Sequence, residues 1–549
     1  MRDTLLLEKR PAAFLERSAV WLFLAALLVV CALQIALGAL PTRIYGHDLF
    51  VLLDGAWRVA SGQTPCVDFY SGLGVLVWDP LRWALALDGY RADAIGLARA
   101  FYTAVLGIWF LLLVRRDRAR IPSLVLGFFF LIFISAARPL GEYPTWISHA
   151  MFYNRIGYAL LFLIILEQLP VSRFQAADAP APAAERSGTL FWGGLSTGAA
   201  LACTVLLKVS FVLPGVLLLA SGLFSFGVRR KHLLGVLTGG LAAALGALAF
   251  LHFQPAAFLR ETIALGHARQ GMLFSQTVSV IVEEVGNLGF ALAAGLVIAI
   301  ACFRGRQTAL KYMFATLVVV GCDVFCRATN AMRGDLPLAA FWSLSGAMLL
   351  FSLPARSETR QRLTFQRAVA AMALFPITVP LFAKDLASSA DAAYETAVLA
   401  SQQQPHFDSA RLRSWTPLDW QGDDPDAKNA NGAPLIASTN DGIRLLQSLS
   451  GPNETVSSIA FDNPFSFALG RRPPEGGATW LNVSNNVSTS DPLPERSLIG
   501  QPDLLMVQHT TGEEAAEIQT ILSLYPDLLA REYSLIGKSQ YWSLYRRNR

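Results

Sequence analysis

The sequence predicts a polytopic α-helical membrane protein with about eleven transmembrane helices and a small C-terminal α/β soluble domain. Three observations support this prediction. Hydrophobic residues make up 53% of the 549 residues and charged residues only 15%, whereas soluble domains carry about 25% charged residues. Long apolar runs recur through residues 1–383, which we assign as the membrane domain. Turn residues and acidic residues concentrate in residues 384–549, which we assign as the soluble domain.

Eleven apolar runs have about the length that a hydrocarbon core of roughly 30 Å requires. They occupy residues 19–40, 95–114, 121–137, 151–169, 189–207, 209–227, 233–252, 286–303, 309–325, 336–353 and 367–383. Residues 72–89 are also apolar, but Trp78, Asp79 and Trp83 lie among them, which favours a helix at the membrane surface. We therefore place that segment in a long first outer loop, residues 41–94.

The distribution of Lys and Arg predicts the orientation, because basic residues in short loops mark the cytoplasmic side. With eleven spans, the N-terminus and all four basic clusters fall on one side; the clusters lie at residues 115–120, 229–231, 304–311 and 356–367. Residues 1–383 carry a net charge of +12 and residues 384–549 a net charge of −7, which favours two compartments. We expect a multi-pass protein of the cytoplasmic membrane whose C-terminal domain is periplasmic or extracellular.

The C-terminal domain shows the patterns of a small α/β fold. Apolar periodicity predicts helices and buried strands separated by turn residues. The expected helices cover residues 386–404, 441–449 and 513–524, and the expected strands cover residues 456–461, 504–508, 533–536 and 541–546.

Ionisable residues cluster in the first outer loop, just after the first span. They are His47, Asp48, Asp54, Arg58 and Asp68. Ionisable groups at a membrane edge indicate a functional site. Structural roles compete with this interpretation: the first two aspartates could cap a surface helix, the histidine could be an interface residue, and Asp68 could form a turn after Pro65.

The order of residues in this loop resembles a known superfamily. Asp48 follows the first span, a helix comes next, and then the chain reads Gly62-Gln-Thr-Pro65-Cys-Val-Asp68-Phe69. This arrangement is similar to the first loop of GT-C glycosyltransferases, which include protein O-mannosyltransferases and aminoarabinose transferases. The resemblance covers positions 46–75 in residues and the membrane half in layout, and it implies a GT-C-like fold.

The resemblance also implies an activity. Such enzymes are inverting glycosyltransferases that pass a sugar from a polyprenyl phosphate to a glycan, lipid or protein acceptor on the outer face. The resemblance gives Asp48 the role of general base and requires no cofactor beyond the lipid-linked donor. Many members carry two adjacent acidic residues here, but the neighbour of Asp48 is His47, so we predict no metal.

A departing lipid phosphate needs cationic groups to stabilise its charge. The candidates that face outward are Arg138, Arg155, Lys208, His267 and Arg269, in addition to the loop residues. Two of them have alternatives: Lys208 could snorkel towards the interface, and Arg155 could anchor the protein to lipid headgroups.

Several other functions find less support in the sequence. It contains no Gly-rich phosphate loop, nucleophile elbow or His-Glu-x-x-His motif, and no basic stripe for nucleic acid. A transporter or lipid-linked glycan flippase would show repeated halves and broken helices, and we find no such halves. An O-antigen polymerase or ligase-like protein would place its large loop between spans. Both remain alternatives.

Overall fold

A computed structural model defines the architecture of the chain. It describes residues 2–114, 120–170, 173–174, 187–269, 272–303, 305–330, 334–352, 360–402, 404–420, 428, 430–483 and 485–548. Parts of three predicted basic clusters, at residues 115–120, 304–311 and 356–367, lie outside these ranges.

Helices form most of the described residues of the membrane half, and loops connect them. Its helices are α1 (Arg2–Leu37), α2 (Gly46–Ala60), α3 (Val75–Leu87), α4 (Ala94–Val114), α5 (Arg120–Ser135), α6 (Phe152–Gln168), α7 (Ser187–Leu207), α8 (Val212–Phe226), α9 (Arg230–Phe250), α10 (Pro255–Ala268), α11 (Met272–Glu283), α12 (Val285–Cys302), α13 (Arg306–Asn330), α14 (Pro337–Ser352) and α15 (Arg360–Leu399). A short 3-10 turn at Val209–Phe211 joins α7 to α8.

Within the described residues, eight helical segments are long and apolar enough to cross a membrane. They are Ser18–Leu37, Ala94–Val114, Leu190–Leu207, Val209–Phe226, Arg230–Phe250, Val285–Cys302, Arg306–Asn330 and Leu363–Leu399. The other three predicted spans fall on α5, α6 and α14, which have 16, 17 and 16 residues. A 16-residue helix is about 24 Å long, shorter than the hydrocarbon core. These short helices are nonetheless part of the bundle: α5 packs against α1 and α4, and α14 against α12 and α15.

The loops predicted to lie outside the membrane gather at one end of the bundle. The Arg43 amide donates to the Ile147 carbonyl at 2.8 Å, which joins the first outer loop to the second. Arg269 Nη1 donates to the Thr329 carbonyl at 2.9 Å, which joins the segment after α9 to the end of α13. This gathering is what eleven alternating crossings produce. The side of the membrane that this end faces stays a prediction.

Helices form part of two predicted outer loops, and a helix was expected in the first of them. The apolar segment assigned to the membrane surface is α3, which exposes Trp83 and Leu87 and buries Trp78. The segment at residues 253–285, expected as a loop, contains α10 and α11. Pro255 begins α10, where its missing N–H costs no hydrogen bond.

Helix α15 continues through the boundary that we predicted at residue 383. It has 40 residues and contains Pro376 and Pro380. Such a helix is about 60 Å long. The last span and the first predicted helix of the soluble domain are therefore one continuous element.

The C-terminal domain is the predicted small α/β domain. It contains α16 (Gly432–Leu449), β1 (Val456–Ile459), α17 (Phe465–Leu469), α18 (Glu495–Leu498), β2 (Leu504–Gln508), α19 (Gly512–Leu524), α20 (Leu528–Glu532), β3 (Tyr533–Lys538) and β4 (Trp542–Arg547). The strand order is β1-β2-β4-β3, with β1 parallel to β2 and the other neighbours antiparallel.

This domain packs directly on the first outer loop. Trp415 is 1% exposed, and its Nε1 donates to Thr42 Oγ1 at 2.9 Å. Its ring also contacts Phe50, with 5.1 Å between ring centroids. Trp57 Nε1 donates to the Arg471 carbonyl at 2.8 Å. The loop and the domain thus share one apolar core, which fixes both at the same end of the bundle.

Candidate active site

A cavity of about 680 Å³ lies at the end of the bundle where the outer loops meet the C-terminal domain. Its volume falls within the range of small-molecule sites, roughly 300–1,000 Å³. Four of its lining residues are acidic or basic: Asp48, Lys208, Glu261 and Arg269. Most of the remaining wall is apolar or carries amide groups; it includes Val51, Leu52, Val209, Phe258, Leu265, Met272, Phe325, Asn330, Trp480, Asn482 and Asn485.

Asp48 lies in the first turn of α2, on the cavity wall. Its side chain is 19% exposed, and His47 Nε2 lies 3.6 Å from its Oδ1. Burial raises the pKa of Asp48 to about 7 and lowers the pKa of His47 to about 4. His47 is therefore neutral at pH 7, and its contact with Asp48 is not an ion pair there. The His47 ring packs on Phe461, with 4.1 Å between ring centroids.

Lys208 reaches the same cavity from the junction of α7 and the 3-10 turn. The first outer loop holds this junction closely, because the Gly74 amide donates to the Leu207 carbonyl at 2.9 Å. A Cβ atom at Gly74 would lie 1.9 Å from the Leu206 carbonyl oxygen, so only glycine fits. Lys208 Nζ lies 3.3 Å from Asn154 Oδ1, and no carboxylate of the described residues pairs with it.

Arg269 follows α10 and joins three parts of the wall. Its Nε donates to the Asn485 carbonyl at 3.1 Å and its Nη1 to the Thr329 carbonyl at 2.9 Å. It forms no ion pair with any described carboxylate. Burial lowers the pKa of Arg269; burial, and next the charge of Arg269, lower the pKa of Lys208. A bound anion would stabilise both charges.

Glu261 of α10 is a cavity residue that the sequence analysis did not identify. Its carboxylate accepts hydrogen bonds from the backbone amides of Ser71, at 3.1 Å, and Gly72. Burial raises the pKa of Glu261 to about 7. Gly72 has φ +66°, and a Cβ atom there would lie 2.1 Å from the Trp480 ring. Glu261 therefore fixes a turn in which position 72 must be glycine to accommodate the Trp480 ring.

Asp54 and Arg58, which were predicted as binding residues, do not line the cavity. Arg58 Nε lies 2.7 Å from Asp54 Oδ2, and both side chains are 0% exposed. Arg58 Nη1 also donates to the Gly476 carbonyl at 2.9 Å. Their positions four residues apart in α2 allow the pair, and the C-terminal domain covers it. They connect the outer loop to that domain.

Arg138 and Arg155, which were also predicted as binding residues, are buried against carboxylates and do not line the cavity. Arg138 Nη2 lies 2.9 Å from Asp335 Oδ2, and Arg155 Nη2 lies 2.9 Å from Asp385 Oδ1. Arg138 Nη2 also lies 2.8 Å from the same Asp385 oxygen. Buried charges require such partners. We call these four residues the arginine network.

Two further predicted residues lie outside the cavity. Asp68 is exposed, and its Oδ2 accepts a hydrogen bond from the Thr64 amide at 2.7 Å, so it closes a turn. It also borders a second cavity of about 520 Å³. His267 is 52% exposed in its side chain and pairs with Asp491 at 2.8 Å on the surface.

The structure therefore brings together Asp48, Lys208 and Arg269 from the predicted set, and it adds Glu261 and residues of the C-terminal domain. Nothing local in the sequence indicates Trp480, because its contact with Gly72 joins segments some 400 positions apart. Within the described ranges, no group of three His, Cys, Asp or Glu side chains could hold a metal ion. Metal independence stays a prediction.

Comparison with known proteins identifies similar solved structures. No family model matches this sequence, and no curated protein matches it. The fold is similar to crystal structures of ArnT from Cupriavidus metallidurans, both in the apo state and bound to undecaprenyl phosphate. In each comparison the sequence identity is 16% and the TM-score is 0.46, over 96% of this chain and 97% of ArnT.

Proposed function

We propose that this protein is a glycosyltransferase that transfers a sugar from a polyprenyl phosphate to an acceptor outside the cytoplasmic membrane. One observation carries the proposal. A single cavity contains a carboxylate with a pKa near neutrality, Asp48, and two cationic residues without carboxylate partners in the described chain, Lys208 and Arg269. This combination provides a base and an anion site. We call Lys208 and Arg269 the cationic pair.

The cavity wall supports a lipid-linked donor. The cationic pair would bind the phosphate. Two backbone carbonyls hold Arg269 in place through its Nε and Nη1, and its remaining N–H groups could donate to the phosphate. Apolar residues such as Phe258, Met272 and Phe325 would contact the prenyl chain. Helix α11, which contributes part of this wall, exposes Phe274 at 80% and so presents an apolar surface to lipid.

The reaction would proceed in one displacement. Asp48 accepts the proton of the acceptor hydroxyl or amine as that atom bonds to the anomeric carbon. The bond between the anomeric carbon and the phosphate oxygen breaks, and its electron pair leaves with the polyprenyl phosphate. The cationic pair stabilises that charge. Attack opposite the leaving group inverts the anomeric configuration, and Asp48 then releases its proton to water.

The proposed orientation puts the cavity on the extracytoplasmic side. The predicted outer loops and the C-terminal domain share the cavity end of the bundle. The basic clusters belong to the loops of the opposite end in the same topology, which is the cytoplasmic side by the positive-inside rule. The acceptor would then be a glycan, lipid or protein of the cell envelope.

A transfer assay tests the proposal. Purified protein in liposomes is supplied with labelled polyprenyl-phosphate sugars and an extract of envelope acceptors, and product formation is compared between the native protein and Asp48→Asn. We expect the variant to lose about 10²–10⁴-fold in rate, because a positioned general base contributes that much. The control is Asp68→Asn, which alters an exposed turn in the same loop.

Two results would contradict the proposal. Full transfer by Asp48→Asn would remove Asp48 as the base. No transfer from any lipid-linked donor by the native protein would reject the glycosyltransferase itself.

A further inference from the structure

We infer that the C-terminal domain supplies the sugar subsite of this cavity, with Trp480 as the aromatic surface for the sugar ring and Asn485 as a polar contact. The inference rests on the proposed function. It assigns recognition of the sugar to the soluble domain and recognition of the lipid phosphate to the membrane half.

Trp480 is a half-buried residue of the cavity wall that the surrounding backbone holds in place. Its carbonyl accepts a hydrogen bond from Asn486 Nδ2 at 2.6 Å. The residue before it, Thr479, donates its amide to the Tyr70 carbonyl at 3.2 Å, and the residue after it, Leu481, donates to the Phe461 carbonyl at 2.9 Å. The indole is thus fixed between the first outer loop and the domain.

The Trp480 ring packs closely on Gly72, and this contact is possible only because residue 72 has no side chain. A Cβ atom at Gly72 would lie 2.1 Å from the ring, so any other residue would push the indole from its position. Glu261 holds the Gly72 turn through two backbone amides. The outer loop is therefore shaped to accept this ring, and the cavity is open beside it.

The polar atoms around Trp480 leave hydrogen-bonding capacity for a ligand. Trp480 Nε1 makes no hydrogen bond with the described residues. Asn485 Nδ2 donates to Asn482 Oδ1, whereas Asn485 Oδ1 has no partner in the described chain. An indole N–H and an amide oxygen on the wall of a cavity can bond sugar hydroxyls.

The same loop also joins this surface to the proposed phosphate site. The Asn485 carbonyl accepts the hydrogen bond from Arg269 Nε at 3.1 Å. In a polyprenyl-phosphate sugar the ring is attached directly to the phosphate, so a sugar subsite must adjoin the cation that binds the phosphate. The loop that carries Asn485 meets that requirement.

The chemistry of the wall fits a sugar better than the other parts of the donor. A pyranose has an apolar C–H face and a rim of hydroxyl groups, which match an aromatic ring next to amides. A phosphate would require cations, which the membrane half supplies. A prenyl chain would require only apolar contacts, and amide groups at its surface would remain unpaired.

Binding measurements with two matched lipids test the inference. Polyprenyl phosphate and the same lipid carrying a hexose are titrated against the native full-length protein, Trp480→Ala and Trp480→Phe. We expect Trp480→Ala to lose about 3- to 10-fold in affinity for the hexose-bearing lipid, as for the loss of an aromatic contact. Its affinity for the unmodified lipid should stay within about twofold. Trp480→Phe, which keeps a smaller ring, should fall between.

Two controls separate the sugar contact from general damage. Trp83→Ala removes an exposed tryptophan of α3 that lies outside the cavity wall, and it should leave both affinities unchanged. Lys208→Met should lower the affinity for both lipids by the same factor, because both carry the phosphate.

The outcomes also distinguish the inference from the proposed function. If Trp480→Ala lowered the affinity for both lipids equally, or for neither, the inference of a sugar subsite would be overturned. That result could stand beside normal sugar transfer by the native protein. Absence of transfer by the native protein would instead reject the glycosyltransferase.

Discussion

Two groups of basic residues at the same end of the bundle have opposite surroundings. In the arginine network, Arg138 and Arg155 are almost completely buried and paired with Asp335 and Asp385. In the cationic pair, the charged atoms line an open cavity and contact carbonyl and amide oxygens instead of carboxylates. The first group is electrically satisfied within the protein, and the second is not.

The difference shows how to tell a structural charge from one that awaits a ligand. All four basic residues look alike in the sequence, since each lies in or near a predicted outer loop. Their partners decide their roles. A cation already neutralised by a buried carboxylate has little left to offer a phosphate, whereas an unpaired cation on a cavity wall gains stability from one.

Removal of a carboxylate from the arginine network should give the largest effect on stability. Asp385→Asn leaves Arg138 with Asp335 and leaves the buried Arg155 without a contacting carboxylate among the described residues, and we expect a loss of about 3–5 kcal/mol. Thermal unfolding of the detergent-solubilised protein measures this. The control is Asp391→Asn on the same helix, where a partly exposed partner of Arg43 is lost and Glu395 remains. Equal unfolding temperatures for the two variants would contradict the comparison.

The opposite result is expected in the cationic pair. Lys208→Met removes a charge that has no carboxylate partner, so the unfolding temperature should be maintained or raised. Binding of a polyprenyl phosphate should weaken by about 10- to 100-fold, the value of a charged hydrogen bond. Isothermal titration with that lipid measures the change. Unchanged affinity would show that Lys208 does not contact the phosphate.

The pH dependence of transfer should report the ionisation of Asp48. Only its ionised form accepts a proton, so kcat/KM should fall about tenfold per pH unit below the pKa near 7 and level off above it. Glu261 titrates in the same range. Glu261→Gln should therefore still show the fall in kcat/KM below pH 7, and the residual activity of Asp48→Asn should not show it. If the fall in kcat/KM at low pH disappeared only in Glu261→Gln, the base would be Glu261 and not Asp48.

The smallest effect is expected at Asp68. Asp68→Asn can keep its hydrogen bond to the Thr64 amide, because the amide oxygen of Asn also accepts. Transfer rates should stay within about twofold and stability within about 0.5 kcal/mol, as at other surface positions. Rate assays and thermal unfolding on the same preparation measure both. A large loss of rate with normal stability would give Asp68 a catalytic role after all.

The architecture was largely predictable because its main determinants are local. Length and apolarity indicate spans, and alternation of crossings places the outer loops at one end. The strand at residues 504–508 appears where the buried apolar run predicts it. The spans on α5, α6 and α14 were harder to predict from the sequence. Neighbouring helices pack around these short elements, so they can be shorter and less apolar than the other spans.

The site was predictable only where a residue acts from its own segment. Lys208 and Arg269 follow helix ends, Asp48 lies in the first turn of a helix, and all three line the cavity. The ion pairs of Arg138 and Arg155 were not foreseen, because their shared partner, Asp385, lies more than 200 positions away. Trp480 was missed for the same reason, since only the folded chain shows that it packs on Gly72. Pairing across such distances leaves no periodicity or spacing for sequence analysis to detect.

The continuity of α15 has a practical consequence for anyone who wishes to produce the soluble domain alone. A fragment beginning at residue 384 would cut this helix in the middle and separate Asp391 and Glu395 from Arg43. It would also uncover the Trp415 side that rests on Phe50. Such a fragment would present that apolar face to water, and we expect it to aggregate on expression, whereas the folded full-length chain buries the face.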